Sequence, residues 1–144
     1  MKISNAGLKL IKQYEGFWGA PYFCPAGKLT IGYGHVILSG ENFSDAITEE
    51  NAEILLKQDV SSAENTLNRL VIIELSQNQF DALVSFVYNV GSKAFEKSTL
   101  LRFLNENKLE LAAEQFSRWI FAKGVVQKGL INRRVAEKLM FLEL

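Results

Sequence analysis

The stretch from Gln13 to His35 decides how this chain is organised, and it runs QYEGFWGAPYFCPAGKLTIGYGH. Before it, apolar side chains recur at helical spacing, at Leu8, Ile11 and Tyr14, with polar residues between them. Within it, closely spaced glycines interrupt short apolar and aromatic runs, which is typical of a small antiparallel sheet with tight turns. The sequence therefore predicts a helix that leads directly into a small sheet.

Local signals mark where the other elements begin and end. Ser4 or Asn5 can cap the first helix, and the segment Pro25–Lys28 is a strong turn candidate between two strands. From Thr48 onward the pattern is helical to the end of the chain. The predicted features there are a cap at Thr48 with a helix to about Val71, a capping box from Ser76 to Gln79, a stop at Gly91, a start at Ser98, and further helices over Leu109–Trp119 and from Ile131 to about Phe141.

These elements predict an α+β fold. We expect one domain over residues 1–144, with a small mixed lobe at about 14–46 that holds the sheet. A larger helical lobe at about 48–144 would also take in the N-terminal helix, with a cleft between the two lobes.

Composition narrows the class of protein. The chain has 144 residues, enough for one domain with a real core, and 16 basic residues balance 16 acidic ones. The net charge is neutral, and the sequence contains no basic patch with interleaved aromatic residues. Nothing in the composition therefore points to a nucleic-acid-binding protein. One cysteine excludes an internal disulfide, and neither a signal peptide nor a membrane-spanning run is visible. We expect a chain that accumulates in the cytoplasm.

Three side chains in the opening stretch fit the cleavage of a glycosidic bond. Glu15 supplies a carboxylic acid, Cys24 a second polarisable group, and Thr30 a hydroxyl. Such a reaction needs an acid for the leaving oxygen and a partner that handles the incoming water or the cationic sugar. Taken singly, each residue also has a plain structural interpretation, as a solvated helix end, a small buried apolar side chain and a strand residue.

The sequence of this stretch resembles the catalytic region of bacteriophage-type lysozymes, glycoside hydrolase family 24. The family pattern is Glu, eight residues, Asp or Cys, five residues, Thr, and it falls on Glu15, Cys24 and Thr30. The resemblance continues over nearly the whole chain, at Gln79, Ala82-Leu83, Phe86, Asn89, Gly91, Ser98-Thr99-Leu100, Trp119, Gly129-Leu130 and Arg133-Arg134. It implies a lysozyme-like fold.

The resemblance also implies roles for individual residues. Glu15 would be the general acid, and the hydroxyl of Thr30 would position water. Cys24 stands where the family most often has aspartate, and it could act as a nucleophile, as a stabiliser of the cation or as a holder of water. Tyr88 and Asn89 match positions at the sugar cleft.

The resemblance and the residue types also suggest roles for Ser98 and for the pair Arg133 and Arg134. Ser98 also matches a cleft position. Arg133-Arg134 could form a solvated helix face, a brace between lobes or a substrate contact.

His35, the only histidine, has a structural and a catalytic interpretation. A pairing with a carboxylate such as Asp59 on the following helix is our expectation. A cysteine-protease pair with Cys24 lacks an evident residue to orient the ring. One histidine and one cysteine make no metal-ligand cluster, so no metal or other cofactor is expected.

The expected function is an endolysin muramidase that hydrolyses the β-1,4 bond between N-acetylmuramic acid and N-acetylglucosamine in peptidoglycan. We expect a monomer that needs a holin to reach the wall from the host cytoplasm. A lytic transglycosylase, which can work with one glutamate, stays open as an alternative. A membrane-active protein that acts through residues 128–144 is the non-enzymatic alternative, although the small net charge of that segment is unfavourable for a membrane-surface helix.

Overall fold

The computed structural model describes residues 1–143, and these form an α+β structure dominated by helices. The helices are α1 (Asn5–Glu15), α2 (Glu49–Leu70), α3 (Gln77–Val90), α4 (Ser92–Glu96), α5 (Thr99–Asn105), α6 (Leu109–Gln115) and α7 (Lys128–Leu142), with a 3₁₀ turn at Phe116–Arg118. The strands are β1 (Trp18–Phe23), β2 (Leu29–Gly32), β3 (His35–Val36), β4 (Phe121–Ala122) and β5 (Val125–Val126).

The chain divides into two compact units, which we describe separately. The small unit is Ile11–Ser61, and the helical unit is Met1–Leu10 with the chain from Ser62 onward. Both division points fall inside helices, in α1 and in α2.

The small unit is built around an antiparallel sheet in the order β1-β2-β3. The first hairpin closes through a turn in which the Gly27 amide donates to the Cys24 carbonyl at 2.8 Å. Gly32 has a φ of +69°, and a Cβ atom there would lie 3.2 Å from the Cβ of Ala52. Glycine at this position therefore serves both the backbone conformation and the close approach of β2 to α2.

The core of the helical unit lies around α3. Phe86 is fully buried, and its ring packs edge-on against those of Phe95, Phe116 and Trp119 at centroid distances of 6.4, 5.3 and 5.5 Å. Edge-to-face aromatic contacts of this kind contribute roughly 0.5–1.5 kcal/mol each beyond the area they bury. Helix α7 packs against α3 and buries Phe141 on that side.

The N-terminal residues are fastened to the same unit by polar contacts. The backbone amide of Ser4 donates to Oδ1 of Asp81 at 2.9 Å, and the amide of Ile3 donates to Oε2 of Glu64 at 2.7 Å. A Cβ atom on Gly7 would lie 2.8 Å from Cγ of Asp81, so only glycine lets α1 approach α3 this closely.

Most of the predicted boundaries are confirmed. Thr48 accepts a hydrogen bond from the amide of Asn51 at 3.1 Å, and Ser76 and Gln79 form the reciprocal capping box. Gly91 ends α3 with a φ of +96°, and Ser98 caps α5. The α+β fold class and a small antiparallel sheet are likewise as expected, and the sheet has three strands.

The prediction that the chain is helical throughout after Thr48 is wrong in one place. A hairpin forms where Phe121 pairs with Val126 and Ala122 with Val125. Its two-residue turn has positive φ at both Lys123 and Gly124, as a type I′ turn requires. The Lys-Gly pair is a weaker signal for this turn than Asn-Gly, so the hairpin was not predicted.

Three other helix boundaries differ from expectation. The helix predicted over Leu109–Trp119 ends at Gln115 and continues as the 3₁₀ turn, and α4 was not predicted at all. Helix α7 begins at Lys128 rather than at Ile131. Glycine is a poor helix former, so Gly129 favoured a later start, but the structure includes it in the first turn of the helix. The last residue of the segment 128–144 lies outside the described residues.

Candidate active site

Glu15 is the last residue of α1, where the helix gives way to the sheet. The amide of Gly16 still donates to the Lys12 carbonyl at 2.9 Å, and Gly16 then takes a φ of +73°. This left-handed residue turns the chain toward β1 directly after Glu15. The side chain of Glu15 is half-buried, and it is engaged by a partner in the structure.

Cys24 and Thr30 lie on the two arms of the β1–β2 hairpin. The amide of Cys24 donates to the carbonyl of Lys28 at 2.9 Å, which closes the hairpin. Thr30 is 2% exposed, and its hydroxyl donates to the same Lys28 carbonyl at 2.9 Å. The amide of Cys24 and the hydroxyl of Thr30 thus share one acceptor, the carbonyl oxygen of Lys28. The hairpin therefore brings these two predicted site residues together.

The surroundings of Cys24 favour the thiolate. A hydrogen bond from the backbone of Lys28 is the largest influence, and together with one from the backbone of Ala26 it lowers the pKa of the Cys24 thiol below its ordinary value. Desolvation acts in the opposite direction and is outweighed. Hydrogen bonds donated to the charged form are a standard cause of a depressed pKa.

Tyr22 links Glu15 to the hairpin. It pairs directly with Thr30 in the sheet, so the two side chains share one face. The pKa of the Tyr22 phenol is raised by burial first, and then by the negative charges of Glu15 and Cys24.

His35 is held between two carboxylates, as expected for a structural histidine. Its Nδ1 lies 2.8 Å from Oδ2 of Asp59, which confirms the predicted partner, and its Nε2 lies 3.0 Å from Oε1 of Glu41. Both ring nitrogens are therefore engaged by carboxylates, and the ring does not serve Cys24. Glu41 was not anticipated, because the loop between β3 and α2 carries no periodic signal.

The other predicted site residues belong to the helical unit. Tyr88 is half-buried near the end of α3, and Asn89 next to it is exposed. Ser98 is 8% exposed, and its hydroxyl accepts from the amide of Leu101 at 3.1 Å and donates to the carbonyl of Phe95 at 2.7 Å. Ser98 is thus a helix cap, with one lone pair left for any other contact.

Arg133 and Arg134 are buried rather than solvated. They are 4% and 1% exposed, and both lie against Glu137, which is fully buried. Glu137 also accepts from the hydroxyl of Ser85 at 2.6 Å. A solvated helix face is therefore excluded for this pair. Nη2 of Arg134 donates to Oδ1 of Asn89 at 2.8 Å, so the buried cluster reaches a predicted substrate contact.

Neither a metal centre nor a membrane-spanning helix is found in the described part of the chain. Residues 1–143 contain no group of three histidine, cysteine or acidic side chains that could hold a metal ion. None of the helices over the same residues has the length and apolar character needed to cross a membrane.

The small unit therefore carries a half-buried glutamate at a helix end and, on the adjoining hairpin, a cysteine and a threonine that share one carbonyl acceptor. Together with the α+β fold, this is the arrangement that the resemblance to lysozymes, a class of glycoside hydrolases, implies.

Comparisons with known proteins agree with this class. Residues 12–137 match the phage lysozyme family model. The chain is 46% identical over 145 aligned positions to an endolysin of Bacillus phage PZA, covering 98% of this chain but only 55% of that protein. It is 43% identical to an endolysin of Acyrthosiphon pisum secondary endosymbiont phage 1, covering 98% of both. The chain thus spans about half the length of one relative and nearly all of another.

Solved structures give the same result. The muramidase domain of SpmX from Asticaccaulis excentricus superposes with a TM-score of 0.90 at 40% identity, over 99% of each chain. An endolysin from Escherichia coli phage FAHEc1 superposes with a TM-score of 0.91 at 36% identity, over 99% of this chain and 94% of that one. The chain belongs to the phage lysozyme family, which confirms the resemblance seen in its sequence.

Proposed function

We propose that this chain is a muramidase of the endolysin type, which hydrolyses the β-1,4 bond between N-acetylmuramic acid and N-acetylglucosamine in peptidoglycan. The observation that carries the proposal is the geometry of the small unit: Glu15 ends α1 directly before the sheet, and on the adjoining hairpin the Cys24 amide and the Thr30 hydroxyl share the Lys28 carbonyl. The names of the relatives, endolysin and muramidase, point to the same substrate.

Glu15 is the proposed general acid. It donates its proton to the glycosidic oxygen while the bond from that oxygen to the sugar C1 breaks, and positive charge develops on the ring. Its fixed position at the end of α1, followed by the turn at Gly16, holds the carboxyl group in place for this transfer.

Cys24 takes the place of the second carboxylate in this scheme. The lowered pKa of its thiol increases the fraction present as thiolate, and an anion there stabilises the cationic sugar. Thr30 positions a water molecule through the lone pairs of its hydroxyl oxygen, since the hydroxyl is not a strong base and gives its proton to the Lys28 carbonyl. This choice among the three roles open for Cys24 is supported by the hydrogen bonds that favour its charged form.

The helical unit contributes the proposed substrate contacts. Tyr88 and Asn89 are the candidates with accessible surface, and Ser98 can contact a sugar only through the remaining lone pair of its oxygen. For the whole protein, we propose a monomer that is held in the host cytoplasm until a holin opens the inner membrane, with peptidoglycan as its target and no cofactor.

The alternatives receive less support. A lytic transglycosylase would use the muramyl 6-hydroxyl in place of water and would need neither Cys24 nor its hydrogen bonds. A membrane-active segment at residues 128–144 would have to act as a free helix, yet α7 packs against α3 and buries Phe141 together with the Arg133–Glu137 cluster, although it exposes Val135 and Leu139.

Purified peptidoglycan is the substrate for the test, with products identified by mass spectrometry. We expect reducing-end muramic acid from the wild type, a loss of about 10²–10⁴-fold in kcat for Glu15→Gln, and retained activity for Cys24→Asp but not for Cys24→Ala. Thermal unfolding of each variant serves as the control for folding. Anhydromuramyl products would contradict the hydrolase, and full activity of Cys24→Ala would contradict the role of Cys24.

A further inference from the structure

Two aromatic side chains of β1 are stacked on one another although one of them is largely exposed. The rings of Trp18 and Tyr22 lie 4.5 Å apart between centroids, with 28° between their planes. Trp18 is nevertheless 51% exposed. A tryptophan held by one neighbour and open to solvent presents a rigid apolar surface that the fold itself does not use.

The stack exists because β1 is irregular between these two residues. Trp18 pairs with Gly32 and Tyr22 with Thr30, so four steps along β1 face only two steps along β2. Two residues are therefore extra, in a bulge. In a regular strand, residues four apart are separated by about 13 Å and their rings could not stack.

The bulge is fixed in place by the rest of the small unit. The carbonyl of Gly19 accepts from the amide of Ile47 at 2.9 Å, and a Cβ atom on Gly19 would lie 3.4 Å from the carbonyl oxygen of Ile47. Pro21, which cannot donate to a strand ladder, occupies the same bulge. Bulges of this kind commonly redirect side chains next to active sites.

The stacked pair is continuous with the proposed catalytic residues. Tyr22 pairs with Thr30 across the hairpin and lies two residues before Cys24. Trp18, the other member of the pair, begins β1 three residues after Glu15, beyond the turn at Gly16. A molecule bound at Glu15 and Cys24 would therefore also contact the aromatic pair.

Glycan chemistry fits such a surface. A pyranose ring carries its hydroxyl groups at the rim and exposes C–H groups on its faces. The face of an aromatic ring is electron-rich and attracts these weakly positive C–H groups, while water is displaced from both apolar surfaces. The Trp18 ring is already held flat by Tyr22, so little conformational entropy is lost when a sugar binds.

We propose that Trp18, supported by Tyr22, is a stacking platform for a pyranose ring of the glycan strand, beside the bond that is cleaved. This proposal rests on the muramidase function proposed above and identifies a binding residue that the sequence did not single out. The expected ligand is a saccharide, because the aromatic pair is continuous with Glu15, Cys24 and Thr30.

Steady-state kinetics on purified glycan strands stripped of peptide test the proposal. For Trp18→Ala we expect KM to rise about tenfold, corresponding to ~1.4 kcal/mol, with kcat within about twofold of wild type. Trp18→Phe should recover most of the loss. Phe23→Ala is the matched control, since Phe23 is a 74% exposed aromatic residue of the same strand that has no part in the stack.

Fluorescence provides a second measurement that does not depend on turnover. Trp18 and Trp119 are the two tryptophans of the chain, so Trp119→Phe leaves Trp18 as the single reporter. In that background, with Glu15→Gln to prevent cleavage, saturating glycan should shift the Trp18 emission. Unchanged KM in Trp18→Ala or unchanged emission at saturation would overturn the platform while wild-type cleavage stands. Absence of cleavage by the wild type would instead overturn the muramidase function.

Discussion

The imidazole of His35 and the carboxylate of Asp59 form a close pair inside the small unit, with Nδ1 2.8 Å from Oδ2. Burial by itself would lower the pKa of His35, but the hydrogen bonds and charges of Asp59 and Glu41 outweigh it and raise the pKa. The two carboxylates differ: burial raises the pKa of Asp59, whereas a backbone hydrogen bond from Leu38 and then His35 lower that of Glu41. His35 faces both acids, through Nδ1 and Nε2.

This pairing predicts a dependence of stability on pH. Because the pKa of His35 is raised in the folded state, its contribution is complete below the unfolded value of about 6.5 and is lost as pH rises through the folded value. In urea unfolding from pH 5 to 9, the free energy of unfolding of the wild type should fall as the pH rises through the folded-state pKa of His35. The variant His35→Asn should show a smaller fall. An equally steep fall in His35→Asn would show that another group is responsible.

The thiol of Cys24 should titrate below the range of an ordinary cysteine. The hydrogen bond from the backbone of Lys28 lowers its pKa, so alkylation by iodoacetamide should reach half of its maximal rate at a pH below about 8.5. The chain has one cysteine, so the rate reports this site alone, and the protein unfolded in urea is the reference.

The buried cluster on α7 should dominate the stability of the helical unit. Glu137 is fully buried, with Arg134 at 2.7 Å and Arg133 at 3.3 Å. Glu137→Gln leaves two buried guanidinium groups without their anion, and we expect a loss of about 3–5 kcal/mol in the free energy of unfolding.

The exposed ion pair between Lys108 and Glu106, at 2.9 Å, provides the comparison for that cluster. Lys108→Ala should cost less than about 1 kcal/mol, since exposed pairs contribute little. Equal losses in Lys108→Ala and Glu137→Gln, measured by urea unfolding, would contradict the importance of the buried cluster.

The amide of Asn89 has a defined orientation. Arginine only donates hydrogen bonds, so the group 2.8 Å from Nη2 of Arg134 is the oxygen Oδ1, and the amide nitrogen is left to donate to a ligand. Asn89→Asp keeps the acceptor for Arg134 and removes the outward donor. We expect KM for peptidoglycan to rise several-fold without a loss of thermal stability.

Asn42→Asp introduces the same change of charge at another exposed asparagine and serves as the control. Its KM should stay at the wild-type value. If both variants raise KM equally, the effect comes from the added negative charge and not from the lost donor.

Local chemistry accounts for what could be predicted without the structure. The Thr48 cap, the Ser76–Gln79 capping box, the turn after Cys24 and the end of α3 at Gly91 each depend on residues that are neighbours in the chain. The spacing of Glu15, Cys24 and Thr30 is equally local, and it was enough to indicate the family.

Long-range packing decided the rest. No local signal shows that Arg134 is buried against Glu137, because charged pairs on helices are usually solvated. The stack of Trp18 on Tyr22 depends on how β1 pairs with β2, and the second carboxylate on His35 comes from a loop without periodicity. The sequence by itself determined the family, the order of the elements other than α4 and the β4–β5 hairpin, and the proposed catalytic residues. Only the tertiary structure decided which side chains became buried, paired or exposed, because those outcomes depend on contacts between distant parts of the chain.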